Sequence, residues 1–174
     1  MSRQAEQLAE LAARLREEFD RSFAEAPGQN GADYEDFLGI SLGQDRFALC
    51  LTDVCGLVTG KKVIPLPGPL AEFIGIVGLR GQIMPVYDLA RLLGHLEGIR
   101  SLKWLILVGR AIPLALSVGS FDSYLRVRKD AISGHEDKGK ATSEVIRTAD
   151  AVRAIIRMQV VMDTISNRAK KALG

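Results

Sequence analysis

Two rhythms of hydrophobic and polar residues divide the chain. In residues 2–25, SRQAEQLAELAARLREEFDRSFAEA, the side chains Leu8, Leu11, Leu15, Phe19 and Phe23 fall close to one stripe of a 3.6-residue period, with Arg and Glu between them. This is the pattern of an amphipathic helix, which predicts a helical segment over residues 1–26. Pro27, Gly28 and Gly31 break the pattern, so residues 27–35 read as a linker. From residue 36 the apolar runs shorten and turn residues punctuate them, which predicts a separate strand-rich domain over 36–174. FLGISLG, ending at Gly43, and RFALCL, after Gln44 and Asp45, form a hairpin signal. TDVCGLVTG, 52–60, is too short and mixed to assign. VIPLPGPL, 63–70, carries three prolines and is expected as loop or edge strand, because proline cannot donate to a sheet ladder.

FIGIVGLRGQIMPVYDLARLLG, 73–94, approaches the length of a membrane span but contains Arg80, Asp88 and Arg91. Each such charge near a span centre costs about 2.5–3.5 kcal/mol, so a span is excluded. At period two the segment reads as strand, tight turn at Arg80-Gly81, and strand. Its tail reads as a short helix capped by Asp88 and stopped by Gly94, with Leu89, Leu92 and Leu93 on one face. SLKWLILVG and IPLALSVG flank a second hairpin turn at Arg110-Ala111, with which SYLRVRKDAI, 123–132, is expected to pair. SGHEDKGKATSE, 133–144, reads as a polar loop.

The last thirty residues fit two patterns. Helical period suits Val145, Val152, Ile156 and Met162, whereas the dense run Ile155–Met162 suits a buried strand. The likeness of Met158–Asp163 to Ile83–Asp88, each preceding a plausible short helix, favours the strand and suggests two related halves. Many short strands with Gly and Pro turns predict a mainly β barrel or sandwich whose ends are closed by helices.

Charge and chemistry narrow the function more than the fold. Twenty-three basic against 21 acidic residues leave +2, no footprint for nucleic acid or anionic lipid. Cys50 and Cys55 are too few for a disulfide scaffold and are expected as small buried hydrophobes. No charged segment followed by an apolar one opens the chain, so a cytoplasmic location is expected. Gly75, Gly78 and Gly81 lie within a predicted hairpin and make no dinucleotide loop, and GLVTGKKV, 56–63, lacks the hydroxyl and spacing of a phosphate loop. His95 and His135, both expected to be exposed, offer no metal spacing and no base beside a nucleophile. Asp88 and Asp163 could be imagined as an acid/base pair, but each precedes a predicted helix and reads as a cap. No catalytic residue, metal ligand or cofactor is therefore expected. Arg80 stands out at a hairpin tip within the most apolar part of the chain: it is either a solvated turn residue or an interface arginine on an apolar floor.

At these residues the chain resembles the CheW-like family of chemotaxis coupling proteins, whose signature FIGIVGLRGQIMPVYDLARLLG closely follows. FLGISLGQDRFALCLTDVCGLV, IPLPGPL and AIPLALSVGSFDSYLRV are similar to further family segments in order, so the likeness runs from about Phe37 to Ile132. The resemblance implies two small five-stranded SH3-like β-barrels sharing a core, and a non-catalytic adaptor that couples chemoreceptors to a histidine kinase. It implies as partners the cytoplasmic tip of a chemoreceptor, the kinase's regulatory domain and other coupling proteins, with recruitment to receptor arrays and no insertion into the membrane. A receptor helix would lie in an apolar groove involving Leu51, Val54 and Leu57 on one side and Gly75, Val77, Leu79, Arg80 and Gly81 on the other. Gly56 replaces a usual Glu and Gly78 a usual Asn, so the alternative is a divergent member that binds only one of the two partners. From a different class, a small-molecule sensor or enzyme using the groove would need convergent buried titratable groups. The N-terminal helix reads equally as a solvent-facing element or as a docking element.

Overall fold

A computed structural model of the chain describes residues 33–95, 103–134, 141–148 and 151–173. The chain divides into two units, 1–33 and 34–174, and the fold below is that of the second. The N-terminal helix and most of the linker expected from sequence lie outside the described residues, as does His135.

Among the described residues, twelve strands form two six-stranded sheets. The first has the order β10-β11-β12-β2-β1-β9, from β1 (Tyr34–Leu42), β2 (Asp45–Cys50), β9 (Ser120–Arg128), β10 (Ile132–Gly134), β11 (Thr142–Arg147) and β12 (Val152–Ile156). The second has the order β3-β7-β8-β6-β5-β4, from β3 (Val54–Thr59), β4 (Ile64–Pro65), β5 (Phe73–Leu79), β6 (Gln82–Asp88), β7 (Trp104–Val108) and β8 (Leu114–Val118). The edge strands of each sheet are neighbours in sequence: β3 reaches β4 through residues 60–63, and β9 reaches β10 through the short 3-10 turn Lys129–Ala131. Such short links force each sheet to curl until its edges approach, which makes two small barrels. Each has one short strand more than the five expected.

Alternation along the strands divides the core into three parts. In β1, Phe37 faces the first barrel's interior with Ala48, Val127, Ile146 and Ile155, while Leu38, Ile40 and Leu42 face outward into a core shared with the second barrel. In β7, Leu105 points into the second barrel with Val77, Leu79, Met84 and Val86, while Ile106 and Val108 point into the shared core. β8 lies between these layers, and all five of its residues are buried. Two helices complete the shared core: α1 (Leu89–Leu92) through Leu89 and Leu92, and α2 (Met158–Leu173) through Met158, Val161 and Ile165. Asp88 caps α1 as expected, its Oδ1 accepting from the Arg91 amide at 3.2 Å.

The two sheet orders are the same pattern written twice, with β1–β6 replaced by β7–β12. The sequence is therefore built of two related halves, but each barrel takes a hairpin from the opposite half. β1–β2 joins β12 in parallel, Ile156 opposite Leu49, and β7–β8 joins β6 in parallel, Val86 opposite Ala115. This overturns two sequence expectations. Residues 123–132 do not pair with the β7–β8 hairpin; β9 pairs with β1, Phe37 opposite Leu125. The strand of the second half that is equivalent to β6 is β12 rather than Met158–Asp163, which belongs to α2; Asp163 is thus no cap but accepts from the Gln159 side chain one turn earlier. The expected polar loop 133–144 also contains the end of β10 and the start of β11, and the β11–β12 hairpin closes through a Thr148 amide bond to the Ala151 carbonyl. The first hairpin turns at Gly43-Gln44, one residue earlier than expected. Cys50 is half-buried and Cys55 exposed rather than both buried, and His95 is half-buried beside Asp45 and the Phe47 ring.

One ion pair braces the first barrel. Arg153 of β12 is buried and donates to Asp122 of β9 at 2.8 Å, between strands three places apart in the sheet. Burial alone would raise the Asp122 carboxyl, but hydrogen bonds from Arg153 and Ser41, with the charges of Arg153 and Arg46, hold it below the ordinary aspartate range.

Candidate functional site

The sheet register brings three turns to one end of the second barrel. β6 and β8 run parallel, so the β5–β6 turn before β6 and the β7–β8 turn before β8 project from the same end. β3 begins there too, Val54 lying opposite Val108 at the end of β7. The 3-10 turn Leu51–Asp53, which carries the chain from the first sheet to the second, joins them.

At the β5–β6 turn, Arg80 has φ 50° and Gly81 φ 79°. Two successive left-handed residues make the turn whose twist matches the flanking strands. Arg80 is exposed and, among the described residues, makes no side-chain hydrogen bond or ion pair. Ile83, two residues after the turn, is 74% exposed, and Ile112 in the β7–β8 turn is equally so. Ile83 is bare for a specific reason: its cross-strand neighbour is Gly78, which has no side chain to cover it. Arg110 stands beside Ile112 at the second tip.

The eight residues expected to form a groove are therefore of three kinds. Leu51, Arg80 and Gly81 are at the surface of this end; Val54 and Leu57 are half-buried and pack on the shared core. Val77 and Leu79 point into the second barrel, at 1% and 8% exposure, so their side chains support the turn and do not reach a docked molecule. Gly75 is also buried. It lies at a register shift in β5 with φ 153°, and a Cβ there would overlap the Ile64 carbonyl oxygen of the neighbouring strand. Ile83 and Ile112 are exposed at this end without having been among the eight; strict alternation from the buried Met84 turns Ile83 outward.

Beside the tips opens a cleft of about 910 Å³, which brings together β1, the 3-10 turn at Thr52-Asp53, the β7–β8 turn and the first turns of α2. The half-buried Ile132 and Met162 give it apolar walls, with Ile155 and Met158 buried behind them, and Glu35, Asp53, Glu144, Asp163, Arg110 and Arg157 give it charge. Arg157 and Glu144 pair at 3.5 Å, each about a third exposed. All four carboxylates are at least partly exposed, which suits a docking surface rather than acid/base chemistry in a closed pocket.

The family model for the CheW-like domain matches residues 36–165, the whole of this strand-rich unit up to the middle of α2. The chain belongs to the CheW-like domain family. A solved structure of the scaffolding protein TtCheW from Thermoanaerobacter tengcongensis superposes with a TM-score of 0.63 at 22% identity, covering 71% of this chain and 88% of that one. At that identity the likeness speaks for the fold. Among curated proteins, none matches the chain in sequence. Membership of the CheW-like family supports a general scaffolding or coupling role in chemotaxis signalling, a role without catalysis. No helix among the described residues is long and apolar enough to cross a membrane.

Proposed function

We propose that this CheW-like protein couples a chemoreceptor to a histidine kinase, with a helix of the receptor tip lying across the end of the second barrel where Leu51, Ile83, Ile112 and Arg80 meet the solvent. The observation that carries this reading is the convergence of three turns that present Leu51, Ile83 and Ile112 uncovered beside an arginine that is unpaired among the described residues. Such a combination of apolar floor and arginine is what interface hot spots are made of, and an amphipathic helix is the natural partner for an apolar strip of this kind. The kinase's regulatory domain would engage another part of the barrels, and array recruitment would follow from the two contacts together.

Titrating the full chain against a helical hairpin copying a chemoreceptor tip tests the first contact. Micromolar binding is expected, weakened by about 1 kcal/mol or more in Arg80→Ala, and more strongly in Ile83→Asp. Intact binding in both variants would move the receptor site elsewhere. A second reading, that only one partner is retained, is favoured by Gly56 and Gly78. Gly56 sits opposite Leu107, and Gly78 leaves open space where the family's usual Asn would stand. Co-purification with both the receptor tip and the kinase regulatory domain would exclude it.

A further inference from the structure

We infer that the cleft beside the turns selects a receptor helix that carries Lys or Arg along the edge of its apolar stripe. This rests on the coupling reading and names the chemistry of the partner. The argument begins with the distribution of charge. Glu35 comes from the start of β1, Asp53 from the 3-10 turn and Asp163 from α2, so three separate elements each deliver a carboxylate to one cleft. Glu35 and Asp53 have no ion pair among the described residues, and Asp163 accepts only the neutral Gln159 amide, at 3.0 Å. The fourth carboxylate, Glu144, is matched by Arg157, leaving Arg110 at the outer tip as the remaining cation of the lining. The cleft is thus negative on a protein whose overall formal charge is +2. Partner choice follows from such local complementarity and not from the charge of the whole.

The walls decide what kind of cation enters. Met162 of α2 and Ile132 of β10 are the half-buried apolar side chains of the lining, with Met158 and Ile155 buried in the core behind them. Methionine adapts its shape to an apolar partner. Ile112, itself part of the lining, and Ile83, at the start of the strand that runs parallel to β8, are both exposed at the same end of the sheet and extend its apolar surface. A small cation would leave that extension bare, whereas a helix of several turns covers it while a basic residue at its edge meets Glu35, Asp53 and Asp163.

The test uses the full chain and two designed helical hairpins with the same Leu/Ala stripe, one flanked by Lys and one by Glu, alongside the receptor-tip hairpin. The Lys hairpin is expected to bind about tenfold tighter than the Glu hairpin at about 50 mM salt, with the preference shrinking at about 300 mM as screening shortens. In the triple variant Glu35→Gln, Asp53→Asn, Asp163→Asn the preference should fall to within about twofold, the magnitude expected when rim charges are lost. Equal binding of the two hairpins, or a preference that survives the triple variant, overturns the inference while receptor-tip binding leaves the coupling reading standing. Failure of all three hairpins to bind overturns the coupling reading and the inference with it. If the triple variant does not fold, the comparison of Lys and Glu hairpins on the unaltered protein still decides.

Discussion

Arg80 adopts φ 50°, a left-handed conformation that costs a residue with a Cβ about 1 kcal/mol or more, and glycine little. A glycine at this tip would adopt the same backbone with less strain, so the arginine stands against local preference. Arg80→Gly is therefore expected to raise stability by about 1 kcal/mol in urea denaturation while weakening receptor-tip binding. A variant that loses stability would show that Arg80 has a structural role instead. Asp122 offers a second residue-level test. Its folded-state carboxyl lies below its ordinary value near 3.8, so its contribution is complete above that value and is lost as pH falls through the depressed one. Asp122→Asn leaves Arg153 buried without its counter-charge and should cost about 3 kcal/mol at neutral pH. That gap should narrow only below about pH 4, and a gap that closed near pH 6 would point to another group. At this scale the sequence was readable where the chemistry is local: Asp88 caps the adjacent helix, and Arg80-Gly81 turns. It was not readable for Val77 and Leu79, because a family likeness marks a segment without saying which alternate side chains face inward.

At the scale of elements, the hairpins were legible because both strands and their turn are contiguous, as in β5–β6 and β7–β8. The misread elements are those whose partners are distant in sequence. β9 follows β8 directly yet leaves its sheet to pair with β1, crossing at Gly119, where a Cβ would overlap the Ser41 carbonyl oxygen of β1. In the C-terminal segment, Ile155-Ile156 and the largely apolar run Met158–Met162 merge in sequence for two separate reasons: the end of β12 is buried on both faces, and α2 begins two residues after β12 ends with its own apolar face on the shared core. One strand offers a direct check of this layering. Ile156, 1% exposed, lies in the shared core, while Val152 at the other end of β12 is 62% exposed. Ile156→Ala should cost about 3 kcal/mol through lost packing and a residual cavity, and Val152→Ala less than about 0.5 kcal/mol. Urea midpoints at unchanged slope would measure both. Comparable losses would mean that the outer end of β12 is covered in solution.

For the whole molecule, the consequential feature is the exchange of hairpins between halves. Residues 34–95 contain β1–β6 and α1, but β1–β2 belongs to one barrel and β3–β6 to the other. Neither half holds a complete barrel, and the shared core draws on both sheets and both helices. With the core shared and the hairpins exchanged, the barrels are expected to behave as one cooperative body. The sequence suggested two halves only through a match of Ile83–Asp88 to Met158–Asp163 that the fold does not keep, and it did not show the exchange, because no local pattern records which parallel neighbour a strand will find. If the exchange governs stability, the strand-rich unit should unfold in a single transition with calorimetric and van't Hoff enthalpies in agreement. A fragment of residues 34–95 should then show no cooperative melt alone, and regain strand signal by circular dichroism when mixed with a fragment of residues 96–174. A cooperative melt from the first fragment by itself would mean that its six strands find a closed arrangement without the second half, and the two barrels would then be separable units rather than one.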